Sequence, residues 1–224
     1  MSLTRSLERI QLECINCHTR IPLDRHVSGC PNCGENILEA RYDFGQMNVG
    51  EWVGSLNRRR NNLWRYREVL PIQDSANVVT LGEGGTPLIK SYALASSLGL
   101  KHLYIKDERQ GPTASFKDRQ ATVAISALKE MGVEELVVAS TGNVAIAYAA
   151  YCARAGIKLW AFFPSLTPGD KMREAALYGA EVIKITGTYD QTKELAARFA
   201  KSKGLFLDRG IKSVAAIEAM KTMA

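Results

Sequence analysis

The chain predicts an α/β fold, a parallel sheet covered by helices on both faces, with a small metal-binding module ahead of it. Three observations lead there. Apolar strand runs such as LVVA (136–139) and LWAFF (159–163) alternate with helical patterns, as expected of strands buried on both sides. The helical patterns stop at Gly132, Gly156, Gly179 and Gly204, the residue type that most easily adopts the left-handed turn closing a helix. Two CxxC pairs lie near the N-terminus.

With 224 residues the chain is long enough for one or two domains plus a small module. No stretch is long and apolar enough to span a membrane. The first residues, MSLTRSLERIQ, lack the apolar centre of a secretory signal, so a cytoplasmic protein is expected. A net charge of +6 permits nucleic acid or anionic small molecules as partners without choosing between them. The densest basic run, Arg58 to Arg60 followed by Arg65 and Arg67, is read as a solvated helix face rather than a nucleic-acid footprint.

Cys14 and Cys17, then Cys30 and Cys33, are separated by twelve residues, and each pair suits a tight metal-binding knuckle. Four thiolates close a tetrahedral zinc site, whose binding energy would fold a module with almost no core between strands near Arg9 to Glu13 and Ile37 to Asp43. His18 and His26 are alternative ligands, although the cysteines already fill the site. Zinc ribbons occur on enzymes and on nucleic-acid proteins alike, so the module leaves function open.

A connector follows from Gln46 to Asn77, with a short helix over Val49 to Asn57 and the aromatic, basic segment LWRYREVLP ending at Pro71. VVTL (78–81) reads as a strand, LGEGGTPL (81–88) as a glycine turn without the lysine of a phosphate loop, and Tyr92 to Ser97 as a short helix. His102 to Asp107 then forms a strand carrying a structural His102.

The turn GPTASFKDR, Gly111 to Arg119, leads into a helix marked by Ala121, Ala124, Ile125 and Leu128. Ser115 and Asp118 have capping-box spacing, which makes Ser115 the N-cap and puts Lys117 in the first turn. The helix dipole and burial both disfavour an ammonium there, and a neutral lysine is the nucleophile needed to capture an aldehyde. A plain capped helix with Lys117 in solvent uses the same residues.

Beyond it come strand Glu135 to Ala139, helix Asn143 to Ala155, strand Lys158 to Phe163 and helix Asp170 to Tyr178. Strand Glu181 to Ile185, helix Tyr189 to Ser202, strand Leu205 to Leu207 and a helical Ala215 to Met223 complete the series. Cys152 is expected to be buried and inert. STGN, Ser140 to Asn143, opens the helix after a buried strand, where free amides and hydroxyls make a carboxylate receptor; an ordinary strand-to-helix turn has the same composition.

Taken together, SFKDR (115–119), STGN (140–143) and TPL (86–88) closely resemble the threonine synthase family, of the second fold type of pyridoxal-phosphate enzymes, some members of which carry an N-terminal zinc ribbon. The likeness runs from Trp64 to Thr222. It implies pyridoxal 5'-phosphate as cofactor, Lys117 as its Schiff-base lysine and Asn143 as partner of its ring hydroxyl, with Ser140, Thr141 and Gly142 holding the carboxylate of a small amino-acid substrate. It also implies a two-domain organisation: ribbon over 1–45, connector over 46–77, first part of a large domain over 78–132, small α/β domain over 133–210 and a return to the large domain over 211–224. The implied reaction converts O-phospho-L-homoserine and water to L-threonine and phosphate, in a homodimeric enzyme of threonine biosynthesis.

The chain departs from the family's pattern at Gly111, Ala114, Gln120 and Val144, where the family favours Asn, Gly, Gly and a hydroxyl residue. The position of the family's phosphate-gripping arginine falls on Ala216. Family members also continue past the position of Ala224 into further large-domain strands and a glycine-rich cofactor loop, so these residues alone are expected to bind the cofactor weakly and to expose sheet edge and core. The alternatives are a β-elimination or replacement enzyme, as in serine or threonine dehydratases and cysteine-forming synthases, and a zinc-ribbon nucleic-acid protein on a degenerate scaffold.

Overall fold

The structure, a computed structural model, describes residues 10–23, 29–45 and 47–223, so Arg9, His26, Gln46 and Ala224 lie outside the described residues. The N-terminal module is an antiparallel sheet of β1 (Ile10–Cys14), β2 (Arg20–Pro22) and β3 (Leu38–Tyr42), in the order β2-β1-β3. Ile10, Leu12 and Cys14 alternate inward along β1, and Leu12, Ile21 and Leu38 form a small core with Cys14 and Cys30. β2 was not expected, because three residues carry no readable period.

In the connector, Asn48 caps α1 (Val49–Leu56) by accepting from the Glu51 amide, and the aromatic segment coils into a 3₁₀ helix over Leu63–Val69. Arg58 to Arg60 form no helix face. Arg59 lies beyond the end of α1 and grips Glu68 with both guanidinium nitrogens at 2.6 and 2.8 Å, while Arg65 donates to the Leu56 carbonyl at 2.6 Å. These arginines hold the connector to itself. The glycine turn closes on it from the other side: a Cβ on Gly84, whose φ is +90°, would sit 2.4 Å from the Leu63 nitrogen.

VVTL forms no strand. Val79 is buried, but its amide and carbonyl are taken by Ser126 and Thr122, two side chains of the lysine helix, at 2.8 and 2.6 Å. The next strands, β4 (Leu88–Lys90) and β5 (Tyr104–Lys106), pair antiparallel on either side of α2 (Tyr92–Ser97), and all six strand residues are exposed. His102 lies outside β5 and is exposed, not structural.

The lysine helix, α3 (Lys117–Glu130), leads to the main sheet of β6 (Glu135–Ala139), β7 (Lys158–Pro164), β8 (Glu181–Ile185) and β9 (Phe206–Leu207). All four strands are parallel, in the order β8-β7-β6-β9. The crossovers are α4 (Asn143–Ala155), α5 (Gly169–Leu177) and α6 (Tyr189–Lys203). Alternate strand residues separate the two faces: Leu136, Val138, Leu159, Ala161 and Phe163 pack with α4 and α5, while Val137 and Phe162 pack with Ala196 and Ala200 of α6. Strand order advances from β6 through β7 to β8 and then returns to β9 on the other side of β6. The loops after β6 and β9 therefore meet at the topological switch point, where ligands of open parallel sheets bind. α7 (Val214–Met220) ends in a 3₁₀ turn over Lys221–Met223, and its Ala219 joins Val123 of α3 and Leu63 and Leu70 of the connector in one apolar cluster. Among the described residues no helix is long and apolar enough to cross a membrane.

Candidate functional site

Cys14, Cys17, Cys30 and Cys33 converge as the spacing predicts, all four sulfurs lying within 4.8 Å of one another. The Cys14–Cys33 and Cys17–Cys30 sulfur pairs stand 3.5 Å apart, too far for a disulfide at about 2.05 Å and close to the edge, about 3.8 Å, of a tetrahedron with metal–sulfur bonds of about 2.3 Å. Side-chain hydrogen bonding with Thr19 lowers the Cys17 thiol to about 5; at Cys33 the Glu35 backbone favours the thiolate, but the Cys17 sulfur, burial and the other two cysteines outweigh it and raise the thiol to about 11. His18 is not a ligand. Its ring is largely exposed and faces Glu13 at 3.4 Å.

The lysine turn departs from the capping box. Phe116 occupies the N-cap position without a side-chain bond, and the Ser115 hydroxyl accepts from the Lys117 amide at 3.3 Å. Asp118 turns chiefly to Thr113, with the Ser115 backbone a weaker influence on its carboxyl. Its carboxylate accepts from the Thr113 amide at 3.0 Å and the Thr113 hydroxyl at 2.6 Å, tying the helix start to the preceding loop. A carboxylate has two oxygens to satisfy, and here the loop supplies both donors. Ala114 takes a left-handed φ of +53°, the conformation that explains why the resembling family favours glycine there.

Lys117 is the first residue of α3, and burial holds its ammonium below the ordinary lysine value. Its Nζ lies 4.4 Å from the centre of the Phe116 ring and donates to Gln120 Oε1 at 3.1 Å. Two residues on, Arg119 is buried and fully engaged. It clasps Glu108 at 2.8 and 2.9 Å and donates to Thr86 and to the carbonyl of Thr222. This arginine joins the TPL turn, the lysine helix and the segment after α7.

Ser140 to Asn143 follow β6 at the switch point. Ser140 is buried, and its hydroxyl accepts from the amides of Gly142 at 3.0 Å and Ala145 at 3.2 Å, so it shapes the turn. Gly142 has φ of +148°, and a Cβ there would press to 3.0 Å from Lys171. Thr141 and Asn143 are exposed, and the amides of Thr141, Asn143 and Val144 have no partner among the described residues. Such a cluster of free N–H groups is an anion receptor. Lys171 of α5 donates to Asn143 Oδ1, which leaves the amide nitrogen of Asn143 turned outward.

Sequence reasoning missed the groups between these two places. Gln120 Nε2 donates to the Tyr148 hydroxyl at 3.3 Å, Tyr148 donates to Asp208 at 2.6 Å, and Asp208 sits just past β9. Each residue lies far from the others in the chain and belongs to no short motif; only the unexpected glutamine after Arg119 marked the place.

Residues 79–224 match the family model described as pyridoxal-phosphate dependent enzyme. The chain is 38% identical over 212 residues to a threonine synthase of Methanocaldococcus jannaschii, covering 94% of this chain and 52% of that protein. To a threonine synthase of Methanosarcina acetivorans it is 33% identical over 213 residues, covering 95% and 51%. It thus spans about half the length of these curated relatives. The apo diaminopropionate ammonia lyase of Escherichia coli shares the fold, with a TM-score of 0.60 at 20% identity over 64% of this chain and 45% of that one. The matched stretch takes in α3, the main sheet and its switch point, and the chain belongs to the pyridoxal-phosphate dependent enzyme family.

Proposed function

We propose that this chain carries the reactive lysine of a pyridoxal-phosphate-dependent lyase of threonine synthase type, acting on O-phospho-L-homoserine and water to give L-threonine and phosphate. The supporting observation is the place of Lys117, a half-buried amine in a first helical turn that donates to the Gln120 amide oxygen and whose ammonium is disfavoured by burial. The two relatives bearing the name threonine synthase give the reaction class.

Lys117 Nζ is the group that holds the cofactor and afterwards moves a proton at the substrate's alpha carbon. When bound, pyridoxal 5'-phosphate supplies an aldehyde for amines and a ring that spreads negative charge from the adjacent carbon. Thr141, Gly142 and the free amides of the turn hold the substrate carboxylate, and Ser140 keeps the turn in shape by accepting two of its amides. Asn143, held by Lys171, offers its outward amide to the cofactor's ring hydroxyl. In the ribbon the four cysteines hold zinc, a metal that accepts four sulfur ligands and serves here as a structural staple. Free thiols fit a reducing compartment, the cytoplasm, and a homodimer is the assembly we adopt from the family resemblance.

A second reading is favoured by Ala216. It is 3% exposed and packed in the core, so it offers nothing to a substrate phosphate where the family resemblance expects an arginine. β-Elimination or replacement on an unphosphorylated amino acid keeps every other role above. Product analysis with phosphohomoserine, serine and threonine separates the two. The shared core of both readings is tested by adding excess pyridoxal 5'-phosphate, reducing with borohydride and mapping the peptides. The tag is expected on Lys117, with a visible absorbance lost in Lys117→Ala; a tag concentrated on another lysine overturns the proposal.

A further inference from the structure

We propose that Gln120 is a positioning residue that sets the direction and the proton affinity of the Lys117 amine, its own orientation being fixed by a one-way chain of hydrogen bonds ending on Asp208. The functional meaning rests on Lys117 being the reactive lysine; the physical effect on its amine does not.

The direction of the chain follows from its far end. Asp208 accepts from the Gly210 amide through Oδ1 and from the Tyr148 hydroxyl through Oδ2, both at 2.6 Å. Burial raises the Asp208 pKa, but the Tyr148 hydroxyl and the Gly210 amide, one on each oxygen, both favour the carboxylate, so the tyrosine proton is committed to Asp208. Tyr148 is wholly buried, and burial followed by the neighbouring Asp208 pushes its pKa far above the ordinary value, so the hydroxyl stays protonated. Its oxygen can then only accept. Gln120 must present its NH₂ to that oxygen, at 3.3 Å, and therefore its carbonyl oxygen to Lys117 Nζ, at 3.1 Å. A flipped amide would lose the tyrosine contact and set NH₂ against an ammonium. Gln120 is only 6% exposed, so solvent does not rescue the flip.

Two consequences reach the amine. One N–H of Lys117 is tethered to Gln120, which points the lone pair of the neutral form off that axis. An amide oxygen also binds an ammonium more tightly than an amine, so Gln120 opposes the burial that lowers the Lys117 pKa and keeps the reactive fraction in check. The chain crosses from α3 through α4 to the loop after β9, and so couples the amine to the switch-point crevice. Glycine, the residue favoured at this position in the resembling family, has no side chain with which to do this; the device belongs to this chain.

The test uses the protein without cofactor and reads acetylation of Lys117 by a small amine-acylating reagent at pH 7, by peptide mass spectrometry, relative to the exposed Lys203. Two near-isosteric variants are compared. Gln120→Met removes the acceptor and should raise the Lys117 ratio about five-fold; Gln120→Glu puts a carboxylate beside the ammonium and should lower it about five-fold. Opposite signs carry the proposal, since a merely structural role would move both variants the same way. Ratios within about two-fold of wild type, or moving together, overturn it. If either variant loses its fold by circular dichroism, Tyr148→Phe decides: without its anchor the amide is free to turn, and the ratio should rise, whereas an unchanged ratio overturns the proposal. Pyridoxal phosphate takes no part in this measurement, so failure here is separate from a borohydride tag found on the wrong lysine.

Discussion

Arg119 shows how much the residue after the lysine motif's Asp118 carries. Its side chain is 3% exposed and lies across Glu108, which burial pushes towards the neutral form while Arg119 and Thr86 pull it further the other way, leaving the carboxyl below its ordinary value. A folded-state pKa below the unfolded one means that the pair's stabilisation is fully present above the unfolded value and fades as pH falls through the folded one. Removing one partner of a buried pair strands the other charge, at a cost of about 3 kcal/mol. Arg119→Met should therefore lose about that much at pH 7 and distinctly less in acid, where Glu108 can take a proton. Urea melts at pH 7 and pH 4 check this, and equal losses at the two values would show that packing, not charge, dominates. The sequence motif announced Arg119 as part of SFKDR but gave no sign of Glu108, Thr86 or Thr222, which reach it only through the fold.

At the scale of elements, the ribbon and the lysine helix share a neighbour. Tyr42 of β3 donates to Glu218 of α7 at 2.6 Å, Lys221 lies 4.2 Å from the centre of the same tyrosine ring, and Val214 of α7 packs on the ribbon core. α7 in turn packs against α3 and delivers the Thr222 carbonyl to Arg119. A module whose core is a few residues plus two of its own cysteines has little stability without a metal on the four cysteines. Chelation should unfold the β1–β3 sheet and loosen α7 as well. Hydrogen exchange followed by mass spectrometry is expected to show protection falling first in β1 and β3 and then in α7, with the main sheet unchanged. Loss confined to the ribbon would mean that its contact with α7 carries no coupling. The cysteine spacing made the module readable from sequence; its docking on α7 was not, because Tyr42 and Glu218 are unremarkable until they meet.

On the scale of the whole molecule, cover is uneven. The main sheet is buried on both faces, whereas Leu88, Ile89, Tyr104 and Ile105 of the β4–β5 pair are exposed, as are Leu94, Leu98 and Leu100 around it. Contiguous apolar surface with free strand edges drives association. The 224-residue chain should therefore bind a hydrophobic dye and sediment as a mixture heavier than monomer, and the double variant Ile89→Lys with Ile105→Lys, a directly opposed pair, should shift it towards monomer. A wild-type chain that is monomeric and dye-free at about 50 µM, an affinity scale of roughly 6 kcal/mol, would contradict this.

Local pattern by itself determined the succession of strands and helices from Glu135 onward and the fit of the four cysteines for one metal, since each is a matter of period, punctuation or fixed spacing. Tertiary structure alone decided the rest. It tied Asp118 to the amide and hydroxyl of Thr113, kept Val79 out of any strand by giving its backbone to Thr122 and Ser126, and ran Gln120, Tyr148 and Asp208 into one line. The physical reason is the same in each case. A buried polar group must find a partner, and which partner is within 3 Å depends on elements far apart in the chain that only the packed fold brings together.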